Sequence, residues 1–158
     1  MTDPIAPAPN DRLPGPDLLL GLFRSAPFGI YLGTLDDGGG EAAAVNPALR
    51  SMVGYGQDEV AAPLAPDRFA DRPARDALLD RLRRDGGVRD LLVRLRRLDG
   101  TLIWVELSGT GEHRAGSACL QVALVLRDVT ERRRLDEQTR DLHQQLLQAE
   151  KLAALGQT

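Results

Sequence analysis

The sequence predicts an α+β protein: an antiparallel sheet with helices inserted into it, followed by one long helix. Three observations predict it. Residues 88–127 fall into strand-length runs in which side chains alternate between two faces. Residues 28–35 and 41–45 form a shorter strand pair around a glycine-rich turn. From residue 128 the alternation gives way to a helical pattern that continues to about residue 155 without proline or glycine.

Each element has its own signal. Residues 1–16 hold five prolines and little hydrophobic periodicity, which predicts a loose tail. An apolar helix is predicted over 17–24, with Asp17 as its N-cap. The strand 28–35 ends at Asp36-Asp37-Gly38-Gly39-Gly40, a turn that uses the conformational freedom of glycine. The returning strand 41–45 stops at Asn46-Pro47. Pro47 suits the first position of a helix that ends at Gly54. The Pro- and Ala-rich segment 57–72 gives no more than short helical turns. In the helix 75–84, Leu78, Leu79 and Leu82 make an apolar stripe and charges cover the other face. Strands 88–98 and 101–108 are joined by Asp99-Gly100, a strong hairpin signal. A polar, glycine-containing loop, 109–116, leads to the last strand, 118–127. That strand is apolar on both faces, which places it in mid-sheet with both sides covered.

In the long helix, Asp128 and Glu131 have the spacing of a capping box. With Leu135, Leu142 and Ala149 at heptad position d, position a holds Thr139, Leu146 and Ala153. The opposite register puts two glutamines in its seam and is inferior. Leu152 and Leu155 fall outside the preferred register, so the seam shifts near the C-terminal end. At 1.5 Å per residue the helix is about 40 Å long, too long for one small sheet to cover. It wants a second copy of itself.

Composition narrows the function. The 158 residues carry a net charge of −3, which argues against a nucleic-acid partner. One cysteine, Cys119, cannot staple the chain, and a reducing cytoplasm fits it. No apolar run approaches the roughly 20 residues that span a bilayer. Cys119 in a strand reads as a small hydrophobe. His113 and His143 lack other metal-ligand types at useful spacing. The arginines between residues 81 and 97 alternate with apolar positions and read as a solvated face. Asp and Glu fall in turns and caps rather than converging in a cleft, so no catalytic constellation is expected.

Several strings resemble the PAS domain family. They are Glu41-Ala-Ala-Ala-Val-Asn-Pro-Ala-Leu-Arg-Ser-Met-Val-Gly-Tyr-Gly56, then Arg97-Leu-Asp-Gly-Thr-Leu-Ile-Trp-Val-Glu-Leu-Ser108, and the sheet-to-helix junction Leu126-Arg-Asp-Val-Thr-Glu-Arg-Arg133. The string Ala149-Glu-Lys-Leu-Ala-Ala-Leu-Gly-Gln157 resembles the opening of the dimerisation and phosphoacceptor domain of histidine kinases. The resemblance covers about residues 18–157. It implies a five-stranded antiparallel sheet with helices on one side, a PAS domain over 17–130, and a signalling coiled coil over 131–158 leading into a kinase core beyond this chain. The fragment itself would be non-catalytic. Its output would reach a response regulator through that core.

The resemblance also sets expectations for cofactors. Light-sensing LOV relatives use a cysteine in the helical region and Asn and Gln on two strands to hold a flavin. That helical region has no cysteine here, and the strand positions are Val105 and Leu126, so a flavin would lose its polar partners. Haem-binding relatives offer a histidine from the long internal helix, and residues 75–84 have none. What remains is no cofactor at all or a small apolar ligand. Ile30, Leu32, Met52, Leu79, Leu82, Val93, Val105, Leu107, Leu124 and Leu126 would line its pocket, or simply fill the core. Leu92, Trp104, Ala123 and Val125 lie on the other sheet face, which the helix around Leu19, Leu20 and Phe23 and a second subunit are expected to cover. Asp128 and Thr130, with Glu131, would fix the angle at which the helix leaves the sheet. The resulting homodimer would use Leu19, Leu20, Phe23, Trp104 and the heptad positions. The alternative function is a ligand-free dimerisation or protein-docking module, with a different output domain.

Overall fold

The computed structural model describes residues 15–54 and 62–156. Residues 1–14 of the predicted tail, the start of the 57–72 segment and the end of the 149–157 string lie outside the described residues. The elements are α1 (Pro16–Ser25), β1 (Gly29–Leu35), β2 (Ala42–Val45), α2 (Pro47–Val53), a 3₁₀ turn (Pro66–Arg68), α3 (Arg72–Asp85), β3 (Gly87–Arg96), β4 (Leu102–His113), β5 (Leu120–Asp128) and α4 (Thr130–Gly156). The strands form one antiparallel sheet in the order β2-β1-β5-β4-β3. The doubly apolar β5 is central, as its pattern predicts.

One face of the sheet packs against α2 and α3. Leu78, Leu79 and Leu82 from α3 and Leu49 and Val53 from α2 meet Val93, Leu95, Val105, Leu107, Leu120, Val122, Leu124 and Leu126 from the sheet in one buried cluster. Glycines make this close packing possible at two points. A Cβ on Gly29 would sit 3.1 Å from the Leu49 side chain of α2, and one on Gly111 would sit 3.3 Å from Leu82 of α3.

Three expectations are corrected. Ile30 and Leu32 do not reach the core: β1 turns Tyr31 and Leu35 inward, opposite Leu124 and Leu120, and Ile30 and Leu32 face the opposite side. Alternation alone could not choose the phase, because the inward positions include two glycines and the outward ones two large aliphatics. The predicted loop 109–116 is largely strand, since β4 runs on to His113. Gly109 and Gly111 mark close backbone and helix approaches there rather than a turn. Finally, α1 packs against α2 and buries none of its residues. Leu19 and Leu20 are both 44% exposed, so within one chain α1 does not lie sealed on the outer sheet face as expected.

Candidate functional site

Two polar side chains, Asn46 and Arg75, are buried among the described residues, and each is held by hydrogen bonds. Asn46 caps α2: its Oδ1 accepts from the Leu49 N–H (3.0 Å) and the Ile30 N–H (2.8 Å). Its Nδ2 donates to the carbonyls of Phe23 (3.0 Å) and Phe28 (2.9 Å). One side chain thereby ties α1, β1 and α2 together. Arg75, expected among the solvent-facing charges of α3, points inward instead. Its Nε donates to the Leu64 carbonyl at 2.9 Å, and its terminal nitrogens donate to the carbonyls of Asp37 (3.3 Å) and Gly39 (2.7 Å). Burial pushes its pKa down, against the opposing pull of Asp36, Asp37, Asp76 and Tyr31. Arg75 clamps the β1–β2 turn to α3 and to the segment preceding the 3₁₀ turn.

Of the ten predicted pocket positions, Leu79, Leu82, Val93, Val105, Leu107, Leu124 and Leu126 are in the buried cluster, with Met52 packed against it. Val105 and Leu126 are both fully buried hydrocarbon. The Tyr31 hydroxyl donates to the Thr34 carbonyl at 3.0 Å. With Asn46 and Arg75 also committed, these polar groups are already engaged. Among the described residues, these positions do not fit a flavin's polar edge.

The junction between sheet and α4 is built from Asp128, Val129, Thr130 and Trp104. The Val129 N–H donates to the Trp104 carbonyl at 2.8 Å. The Trp104 N–H donates to Thr130 Oγ1 at 2.9 Å. The Thr130 hydroxyl and N–H in turn donate to Asp128 Oδ1 at 2.6 and 3.0 Å. β4 therefore continues its pairing one step past the end of β5 and holds the first residues of α4. Asp128 and Thr130 are brought together as expected. Glu131 is not part of this clasp: it pairs with Arg134, one turn on, at 2.9 Å, so the predicted capping box is replaced by a local Asp-Thr turn.

Sequence reading missed Arg94 and Arg133. Their guanidinium groups lie over the Trp104 ring, 4.9 and 4.5 Å from its centroid. The spacing of Thr130 and Arg133, three apart on one helix face, was the available signal. Every residue from 134 to 156 is exposed. Leu135, Leu142 and Leu146 are 50%, 61% and 64% exposed, and Thr139 donates its hydroxyl to the Leu135 carbonyl at 2.9 Å. On the outer sheet face Leu32 is exposed and Ile30, Leu92, Trp104 and Val125 are half-buried. The Cys119 thiol donates to Asp36 Oδ2 at 3.1 Å. Among the described residues, no helix is long and apolar enough to cross a membrane.

Residues 27–131 match the family model described as PAS domain. The chain belongs to the PAS domain family. No match was found among curated proteins. Among solved structures, it is similar to an RNA-binding Light-Oxygen-Voltage receptor, with TM-score 0.63 and 21% identity over 95% of this chain and 43% of that one. This chain thus spans less than half of that receptor. It is also similar to a sensory box histidine kinase/response regulator from Burkholderia thailandensis E264, with TM-score 0.58 and 16% identity over 82% of this chain and 98% of that one. A third likeness is a PAS domain from a two-component sensor histidine kinase, with TM-score 0.54 and 18% identity over 71% of this chain and 94% of that one. These likenesses are to the fold.

Proposed function

We propose that this PAS domain is the sensory and dimerising module of a cytoplasmic two-component histidine kinase, and that α4 carries its state to a kinase core beyond this chain. The observation that carries the proposal is the contrast within α4. Its first turn is clasped to β4, and from residue 134 onward it is exposed with an apolar stripe. A helix of that kind has its partner outside its own domain. Pairing through Leu135, Thr139, Leu142, Leu146, Ala149 and Ala153 supplies one. Thr139 is compatible with a seam, because its hydroxyl is already satisfied by its own helix. The Ala149–Gln157 string and the sensor-kinase names of two structural likenesses support the choice of output.

A ligand acts in this scheme only through its difference in affinity for two arrangements of the paired helices. The chain makes no covalent chemistry of its own, and the response regulator is met by the kinase core. The test is a fusion of this chain at its C-terminus, in register, to a histidine kinase core without a sensor of its own. The fusion is expected to autophosphorylate, and Thr130→Ala is expected to alter the rate with the PAS fold intact. Identical rates for the fusion and the bare core would contradict the proposal.

The alternative of a ligand-free dimerisation module is favoured by one feature, the close packing of the inner face into a single cluster. Mass spectrometry of the protein purified under native conditions separates the two. A stoichiometric small apolar molecule supports sensing, and its absence supports docking.

A further inference from the structure

α4 is attached to the sheet at two places of different kind. The first is the hydrogen-bonded clasp at Val129 and Thr130. It fixes where the helix begins. The second is Arg133, one turn later on the same face, whose guanidinium lies over the Trp104 ring. Beyond Arg133 every described residue of α4 is exposed. Two points define an axis, and Arg133 is the second. The Trp104 ring is in turn contacted by Arg94, its cross-strand neighbour on β3.

We infer that the Arg94–Trp104–Arg133 stack is a positioning device that sets the direction in which α4 leaves the sheet. Neither Arg94 nor Arg133 has a carboxylate partner among the described residues. The Nε of each is buried without a hydrogen-bond acceptor. With no carboxylate beside them, the contact the structure gives both guanidinium groups is the Trp104 ring, at 4.9 and 4.5 Å from its centroid. The stack also has an inward connection. The Arg94 carbonyl accepts from the Ala70 N–H at 2.9 Å, and Phe69 bridges to Leu95. The segment entering α3, with Phe69 in the core cluster, is therefore pinned to the strand whose side chain touches Trp104. A shift of that segment moves β3, and the stack passes it to the second attachment point of α4. This deepens the proposed role of α4 as output, and as a route for signal it rests on that role.

Trp104 is the single tryptophan of the chain, so its fluorescence reads the stack directly. The experiment uses the full chain with Cys119→Ser, and nitroxide labels at Thr110→Cys on the outer face of β4 and Gln144→Cys on α4. Labelled protein is diluted with unlabelled protein so that pulsed electron resonance reads distances within one chain. The unsubstituted stack is expected to give one narrow distance. Arg133→Ala is expected to broaden it and to raise acrylamide quenching of Trp104, with Arg94→Ala giving a smaller change of the same sign. Arg133→Lys, which keeps the charge without the planar group, should fall between, and it replaces the alanine variant if that one fails to fold by circular dichroism. A distance as narrow in the folded Arg133 variant as in the parent overturns the inference, whatever the fluorescence does. Light scattering on the same samples tests the dimer separately, so failure of the pairing proposal is distinguishable from failure of the stack.

Discussion

α3 and α4 carry leucines at similar helical spacings and meet opposite fates. In α3, Leu78, Leu79 and Leu82 are at most 1% exposed, against the sheet and α2. In α4, Leu135, Leu142, Leu146 and Leu152 are 50–65% exposed. An apolar stripe says that a helix has a buried face in its working state. It does not say which chain supplies the cover. The difference lies in the ends: α3 is bracketed by Pro73 and by left-handed Gly86, which return the chain to the sheet on both sides. α4 is held at one end only.

The two helices should part most widely when the leucines themselves are cut back. Leu79→Ala should cost about 2–5 kcal/mol of unfolding free energy in a denaturant titration, the usual range for a buried leucine. Leu142→Ala should leave that transition in place at low protein concentration and weaken self-association instead. Equal effects of the two variants on unfolding of the dilute protein would mean that α4 is folded onto its own domain. Next in size is Arg75→Met, which keeps the buried stem and removes the clamp. The carbonyls of Leu64 and Asp37 then lose their donor, while Gly39 keeps the Asp36 N–H; the cost is about 1–3 kcal/mol for each that stays buried and unpaired, and thermal melting reads the sum. An unchanged melting temperature would show that the clamp is dispensable.

Smaller effects are expected at the junction and in the core. Thr130→Val should cost about 1 kcal/mol, the worth of an ordinary hydrogen bond. It should speed amide exchange in the first turn of α4 without affecting α3, and uniform acceleration across both helices would contradict a local clasp. The smallest effect is invisible at neutral pH. Burial raises the Tyr31 pKa from 10.0 to about 12, with Arg75 pulling it down and Asp36 and Glu41 adding to the rise. The folded state then holds its proton more tightly than the unfolded state, so stability is fully present below pH 10 and declines as pH rises toward 12. Tyr31→Phe should flatten that alkaline slope in a pH series of denaturant midpoints, and an unaltered slope would place its origin elsewhere.

The order of elements and the central place of β5 could be read from the chain, because alternation, the Asp99-Gly100 turn and the Asn46-Pro47 stop are local signals. What could not be read depends on contacts between distant residues. The phase of β1 is set by its pairing with β5, since Gly-Ile-Tyr-Leu-Gly offers no clean polar face. Glycines 109 and 111 look like a loop until Ala123 and Leu82 are seen beside them. At the junction, Asp128 and Thr130 were recognisable by type and spacing, whereas Arg94 and Arg133 gain their role from a tryptophan on another strand. Arg75 looked like any other charge on an amphipathic helix. Its burial follows from three backbone carbonyls contributed by two other segments.

Everything proposed for α4 as an output depends on a second copy covering its exposed stripe. Multi-angle light scattering on the intact chain and on Leu142→Glu/Leu146→Glu tests that dependence most directly. A covered stripe predicts a dimer for the intact chain and a monomer for the double variant, with the same melting of the PAS body in both. A monomeric intact chain, or a dimer indifferent to the two glutamates, would contradict it.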